Sequence, residues 1–387
     1  MTLNLTRRGL IGAGAATILS TSLGARMAFA RAGTDRRFVF IIQRGAADGL
    51  GTLAPMGDPA FKAQRGVLAE DFASAPKIDA MFALHPSMTN VAGLYGAKEA
   101  LFFHAVASPY RDRSHFDGQN VLETGGPSAY ALKDGWLNRM LTLLPPAEAK
   151  AIAVAATVPL ALRGKVEVGS YAPSALPDAS DDLLGRVSAM YQGDPQLHAA
   201  WEQAMATRTL TSDMAGDNGR NAVATGALAA KLLAPADGAR VAMIETGGWD
   251  THAQQRGRLA AQLKGLDGMI GALKTGLGPL WSNTMVLVAT EFGRTVKVNG
   301  TGGTDHGTGS MAMLMGGAVQ GGRVVADWPG LGDDRLYEKR DLNPTIGLDT
   351  VIASSVAGHF GLTPPQASRA LFPDMKSARW IGGLARV

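Results

Sequence analysis

Short apolar runs rich in β-forming residues recur along the chain at Phe38–Ile42, Leu101–Val106, Ile152–Ala155, Val241–Ile244, Met285–Ala289 and Met311–Met315. Most of them lack apolar/polar alternation, the mark of strands covered on both faces of a largely parallel sheet. Between the runs the period changes. Leu259, Leu263, Leu266, Ile270 and Leu273 recur every three or four residues, which predicts an amphipathic helix across that stretch. Alternating strand and helix patterns predict a doubly wound, mostly parallel α/β domain. The stretch from about 178 to 235 breaks the rhythm: it is alanine-rich and poor in β-branched residues. It predicts successive helices in a helical insertion, since a plain crossover needs far fewer residues.

The first thirty residues are set apart. Thr6-Arg7-Arg8-Gly9-Leu10-Ile11 precedes an apolar stretch reaching Leu23, followed by Ala28-Phe29-Ala30, a small-x-small cleavage pattern. The layout is that of a twin-arginine export signal over residues 1–30, leaving 31–387 as a single domain in the periplasm. Gly12, Gly14, Ser20, Thr21 and Ser22 interrupt the apolar core and argue against a membrane anchor. No later run reaches the roughly 20 apolar residues that an integral membrane segment requires. Arg7, Arg8 and Arg26 carry three of the four net positive charges, so the mature chain is nearly neutral and gives no reason to expect nucleic acid as a partner. The chain has no cysteine, which excludes thiol catalysis, cysteine-ligated metal and cysteine-derived formylglycine.

Four of the runs lead into polar loops, three of them glycine-bearing, and in open α/β sheets ligands bind beyond the carboxyl ends of the strands. Asp48 follows the first run in Gln43-Arg44-Gly45-Ala46-Ala47-Asp48-Gly49, where a simple Asp-Gly turn is the alternative. Ser114 and Asp117 follow the second with capping-box spacing, which predicts that Ser114 opens a helix. A serine there is also placed to attack phosphorus or sulfur: backbone N–H groups and the helix dipole stabilise the growing anion, and Arg111 and Arg113 can hold non-bridging oxygens. Asp250 and His252 lie in Glu245-Thr246-Gly247-Gly248-Trp249-Asp250-Thr251-His252, with Trp249 read as a core or pocket wall. Glu291 and Arg294 follow the fifth run, either as site residues or as an ion pair, and His306 sits in a loop crowded with glycine. Carboxylates and imidazoles in such loops can converge on a divalent cation without bulky neighbours. His85, His104, His198 and His359 carry no such signal, and His104 is expected to be a hydrogen-bonded core residue.

The motifs Arg44-Gly-x-x-Asp48-Gly-Leu50, Tyr110-Arg-Asp-Arg-Ser-His-Phe-Asp117, Asp134-Gly-Trp-Leu-x-Arg139, Gly247-Gly-Trp-Asp-Thr-His252, Glu291-Phe-Gly-Arg294 and Gly302-Gly-Thr-Asp-His-Gly307 together resemble the exported bacterial family called domain of unknown function 1501. The resemblance covers nearly all of the mature chain. That family resembles a branch of the alkaline phosphatase and sulfatase superfamily, which implies two metal ions and a serine, threonine or formylglycine nucleophile. Position by position it implies Asp48 as the metal-bridging carboxylate, Ser114 as nucleophile, Asp250 and His306 as ligands, and Glu291 where aspartate is usual. Phe292 departs from the pattern by standing where a histidine ligand is expected, and Gln254 occupies the place of another. His252 or His115 then supplies the missing imidazole, or a single metal binds.

The resulting expectation is a periplasmic metal-dependent hydrolase of phosphate or sulfate esters, acting on a small molecule or on a polysaccharide or lipid ester. Ser114 attacks, Arg113 and Arg294 balance oxygen charge, and one or two divalent ions are held among Asp48, His115, Asp250, His252, Glu291 and His306. Zinc matches the mixed nitrogen and oxygen donors, with magnesium or calcium as alternatives. The competing expectations are a non-catalytic binding or assembly protein with at most a structural metal, and a phosphomutase or transferase whose acceptor is not water. Nothing in the chain names a protein partner.

Overall fold

The six apolar runs all form strands of one sheet in the computed structural model, which describes residues 35–146, 148–173, 179–211, 221–374 and 380–386. The expected export signal lies outside the described residues. The strands are β1 (Arg37–Gln43), β2 (Ala100–Ala107), β3 (Ala151–Val154), β4 (Val241–Thr246), β5 (Thr284–Ala289) and β6 (Ser310–Met315). The helices that matter here are α1 (Thr89–Gly96), α2 (His115–Thr124), α3 (Trp136–Leu141), α4 (Asp181–Tyr191), α5 (Pro195–Leu210), α6 (Ala222–Leu233), α7 (Gln255–Leu277) and α8 (Leu348–Phe360).

Every residue of β1, β2, β5 and β6 is buried. That is why these segments read as continuous apolar runs: both faces of the sheet are covered. On one face Val39 and Ile41 pack with Leu228 and Leu232 of α6 and with Leu259, Leu263, Leu266, Ile270 and Leu273 of α7. On the other, Phe38, Phe40 and Ile42 pack with Trp136 of α3 and Val351, Ile352 and Val356 of α8. Each such side chain contributes roughly 1.5–3 kcal/mol on burial, so the two layers fix the sheet firmly. The stretch expected as an insertion carries α4, α5 and α6. Whereas α6 joins the sheet-covering layer, α4 and α5 leave Leu183, Met190 and Leu197 exposed. Among the described residues no helix is long and apolar enough to cross a membrane.

The sheet order is Val324–Val325, β2, β6, β5, β1, β4, β3, Gly169–Ser170, with Ile346–Gly347 also beside β2. β1 pairs in parallel with β4 and β5, in a register that sets Ile42 beside Glu245 and Ala289. β6 runs antiparallel to both β2 and β5. The carboxyl ends of β1, β2, β4 and β5 therefore open on one rim, and β6 starts there. Topology alone thus brings the loops after Gln43, Ala107, Thr246 and Ala289, and the Gly302–Gly309 loop before β6, to a common edge.

Candidate metal centre

His115 is the first residue of α2, and its Nδ1 lies 2.8 Å from Glu291 Oε1. Glu291 is fully buried just beyond β5, and the same oxygen accepts from Gly45 N–H at 2.9 Å and Gln119 Nε2 at 3.2 Å. Burial pushes the Glu291 pKa up, but the hydrogen bond from His115, with the backbone and Gln119 donors, outweighs it and holds the carboxyl below its ordinary range. A carboxylate only accepts, so the proton of this pair sits on His115 Nδ1, and in the neutral ring it is Nε2 that carries the lone pair. That Nε2 is buried without a hydrogen-bond partner among the described residues, 3.5 Å from Asp250 Oδ2. The Glu291 bond raises the His115 pKa against the opposing effect of burial.

The other two imidazoles repeat the scheme. His306 Nδ1 is 2.9 Å from the backbone carbonyl of Arg113, which can only accept, so the ring donates there and turns Nε2 toward Asp250 Oδ1 at 3.3 Å. Burial, and next the neighbouring His115, lower the His306 pKa and favour the neutral ring. His252 Nδ1 is 3.0 Å from Asp305 Oδ1, and that hydrogen bond holds the Asp305 carboxyl below its usual range. His252 Nε2 faces Asp250 Oδ1 at 2.9 Å and His306 Nε2 at 3.0 Å. Two lone-pair nitrogens and a carboxylate oxygen at these separations repel one another unless a proton or a cation lies between them.

Backbone detail makes this convergence possible. Gly45 has φ +115°, and a Cβ there would lie 2.7 Å from Asp250 N; one on Gly303 would lie 2.2 Å from the His252 carbonyl. Only glycine allows these approaches. Phe292, in place of an imidazole, stacks on His115 at 5.1 Å between ring centres and lies 5.4 Å from His306, giving the cluster an apolar wall. Donor atoms of His115, Asp250 and His306 lie within 4.8 Å of one another, and His252 Nε2 stands beside them, 2.9 Å from Asp250 Oδ1. An N/O donor set with each ring oriented by an outer oxygen is one that a divalent metal ion can use.

Asp250, His252, His306, His115 and Glu291 are therefore brought together, Glu291 as the support of His115. Other expectations need correction. Asp48 is fully buried and takes the Arg65 guanidinium and Gln255 Nε2 on its Oδ2, so it is a buried ion-pair partner and does not join the donor group. The Arg113 guanidinium is held by Asp341 at 2.9 Å and by Glu338; it is the residue's carbonyl that serves the site. Arg294 is buried, with Nη1 donating to Asp250 Oδ1 at 2.8 Å and Nε to Thr304 Oγ1 at 2.8 Å, so it holds the Asp250 carboxylate and does not pair with Glu291. Burial raises the Asp250 pKa, but Arg294 more than offsets it and keeps the group ionised. Ser114 occupies the N-cap position of α2, yet its hydroxyl makes no capping hydrogen bond among the described residues, and its N–H donates to Tyr110 Oη at 3.1 Å. The expected capping box does not form. Asp305 and Thr304 lie inside the His306 motif without an assigned role, and nothing in the sequence marks Gln119 or Gln255.

A family model described as "Protein of unknown function (DUF1501)" matches residues 35–371. No curated protein matches the chain in sequence. Among solved structures, the C-terminal periplasmic domain of EcEptC from Escherichia coli, in complex with Zn, is similar at 11% identity and TM-score 0.35, over 74% of this chain and 74% of that one. A phosphonate monoester hydrolase of Agrobacterium radiobacter is similar at 10% identity and TM-score 0.36, over 89% and 79%. The TAB5 alkaline phosphatase mutant His 135 Glu with Mg bound is similar at 12% identity and TM-score 0.36, over 75% and 93%.

Proposed function

Since this chain belongs to the DUF1501 family, a family without an assigned activity, we propose a function from its site: a periplasmic metal-dependent hydrolase of phosphate or sulfate esters. One observation carries the reading. The three imidazoles turn their Nε2 atoms toward the Asp250 carboxylate, while each Nδ1 is fixed by an oxygen of Glu291, Asp305 or Arg113. The buried Nε2 of His115, without a hydrogen-bond partner among the described residues, fits a cation ligand, and His115, Asp250 and His306, with His252 beside them, are the residues that would hold the ion. Bound there, zinc or another divalent ion supplies Lewis acidity toward the ester oxygens and lowers the pKa of a nearby hydroxyl.

The protein's own groups divide the remaining work. Ser114 is the proposed nucleophile: it is half-buried at the N-terminus of α2, its hydroxyl is not engaged in capping, and the adjacent N–H groups and helix dipole favour the developing anion. Its Oγ would form the bond to phosphorus or sulfur as the ester oxygen departs, and water would then release the Ser114 ester. Glu291 and the Arg113 carbonyl keep their rings in the ligating tautomer, and Arg294 fixes Asp250. The test is turnover of aryl phosphate mono- and diesters and aryl sulfates by purified protein with added zinc, beside Ser114→Ala and His306→Ala. Loss of activity in both variants supports the reading; wild-type turnover by Ser114→Ala removes the serine.

A second reading is a binding or assembly protein with one structural metal. The withdrawal of Asp48 into its pair with Arg65, together with Phe292 in an imidazole's place, favours it, because both limit the donor set to a single centre. One bound metal with no turnover of any ester in the panel is its signature.

A further inference from the structure

We propose that Asp48, Arg65, Gln255 and Thr304 form a buried hydrogen-bond relay that fixes the direction of Arg294 and, through it, the position of Asp250. All of these except Asp250 are at least nine-tenths buried, and they join distant parts of the chain. The relay has a single allowed polarity. Arg65 and Gln255 Nε2 both donate to Asp48 Oδ2, so the Gln255 amide cannot flip without setting two acceptors against each other. Gln255 Oε1 is thereby pointed the opposite way, where it accepts from Thr251 Oγ1 at 2.9 Å and Thr304 Oγ1 at 2.6 Å. With its one proton committed to Gln255, Thr304 Oγ1 offers only lone pairs to Arg294 Nε, at 2.8 Å. The Thr304 carbonyl accepts from Arg294 Nη2, which leaves Nη1 to reach Asp250 Oδ1 at 2.8 Å.

The Asp48–Arg65 ion pair thus acquires a purpose that its burial alone does not explain. A buried ion pair contributes little net stability against a well-packed apolar pair, so its value here is orientation. These are positioning residues: none of Asp48, Arg65, Gln255 or Thr304 is in the donor cluster. The claim of polarity is independent of any metal, and only its effect on cation affinity rests on the proposed metal centre.

Thr304→Val removes the hydroxyl at nearly constant volume, Thr304→Ser restores it, and Gln255→Met breaks the relay without touching Arg294. The first readout is the Arg294 Nε–H resonance of metal-free protein, by NMR. The relay predicts a resolved, exchange-protected signal in wild type and Thr304→Ser, and loss of protection in both Thr304→Val and Gln255→Met. The second is affinity for cobalt(II) by visible absorption. It should fall about 10–100-fold in Thr304→Val and Gln255→Met, and stay within about threefold in Thr304→Ser, as expected when an outer partner of a ligand is lost. An Arg294 signal equally protected in Gln255→Met overturns the relay. Failure of wild type to bind cobalt overturns the metal reading, while the Nε–H readout still decides the relay. If Gln255→Met unfolds, the Thr304 pair carries the test, and equal protection in Thr304→Val and Thr304→Ser overturns it.

Discussion

Glu291→Gln isolates the electrostatic role of one buried group with little change of shape. The glutamine carbonyl can keep the three contacts now made to Oε1, from His115 Nδ1, Gly45 N–H and Gln119 Nε2, while its amide meets Thr290 Oγ1 where Oε2 stands 2.9 Å away. The His115 tautomer is therefore preserved, and what disappears is one negative charge behind the ring. A hydrogen bond to a charged group contributes about 1.5–3 kcal/mol net. A unit charge about 4 Å away at an effective dielectric of about 20 gives roughly 4 kcal/mol as an upper figure, which the partial exposure of His115 reduces. Either route gives roughly 1.5–3 kcal/mol less basicity at Nε2, or about a 10–100-fold weaker cation site. The assay is zinc affinity by competition with a chromophoric chelator, with urea unfolding of the metal-free protein as control. An affinity within threefold of wild type, in a variant of unchanged stability, would refute the assignment of Glu291 as the support of His115.

Three further outcomes follow from the same geometry. Gly303→Ala must displace the His252 carbonyl, which a Cβ would approach to 2.2 Å, so metal affinity should drop at least tenfold while the far-UV spectrum stays native; unchanged affinity would show that the loop yields freely. His104 and His359 are fully buried, and desolvation lowers their pKa values to about 4 and about 3. Because both lie below the unfolded value near 6.5, the unfolded chain binds more protons than the native one over that interval, and stability falls as pH drops below about 6.5. At about 1.36 kcal/mol per unit, each site gives roughly 2 kcal/mol of loss by pH 5, read as a lower urea midpoint in metal-free protein; a midpoint constant from pH 7 to 5 contradicts it. Ile41→Ala, in the centre of β1, should destabilise by about 2–5 kcal/mol without altering metal stoichiometry, and a loss under 1 kcal/mol would contradict the packing described.

The sheet was legible because burial on both faces leaves a direct trace: Val39 and Ile41 face one helical layer, Phe38, Phe40 and Ile42 the other, and no polar residue interrupts them. Candidate site residues after β4 and before β6 stood out for a related reason, since glycines that admit close backbone approach are visible as letters. What could not be read was the use of each group. Asp48 looks like a ligand from its strand end, and only the tertiary contact with Arg65, from a short helix, shows that its charge is already matched. Arg113 advertises a guanidinium, whereas its contribution to the site is a carbonyl oxygen that any residue carries. Glu291 was visible as a carboxylate, but its separation from the donors by one imidazole is a matter of geometry. The Ser114 and Asp117 spacing suits a capping box, yet the Ser114 N–H that the box would use donates to the Tyr110 hydroxyl.

Crystals grown with zinc and measured across its absorption edge test the central claim most directly. The account predicts one anomalous peak bonded at about 2.0–2.2 Å to His115 Nε2, His306 Nε2, Asp250 and His252 Nε2, with Asp48 still paired to Arg65. An absent peak, or one coordinated by Asp48 in place of the imidazoles, would contradict it.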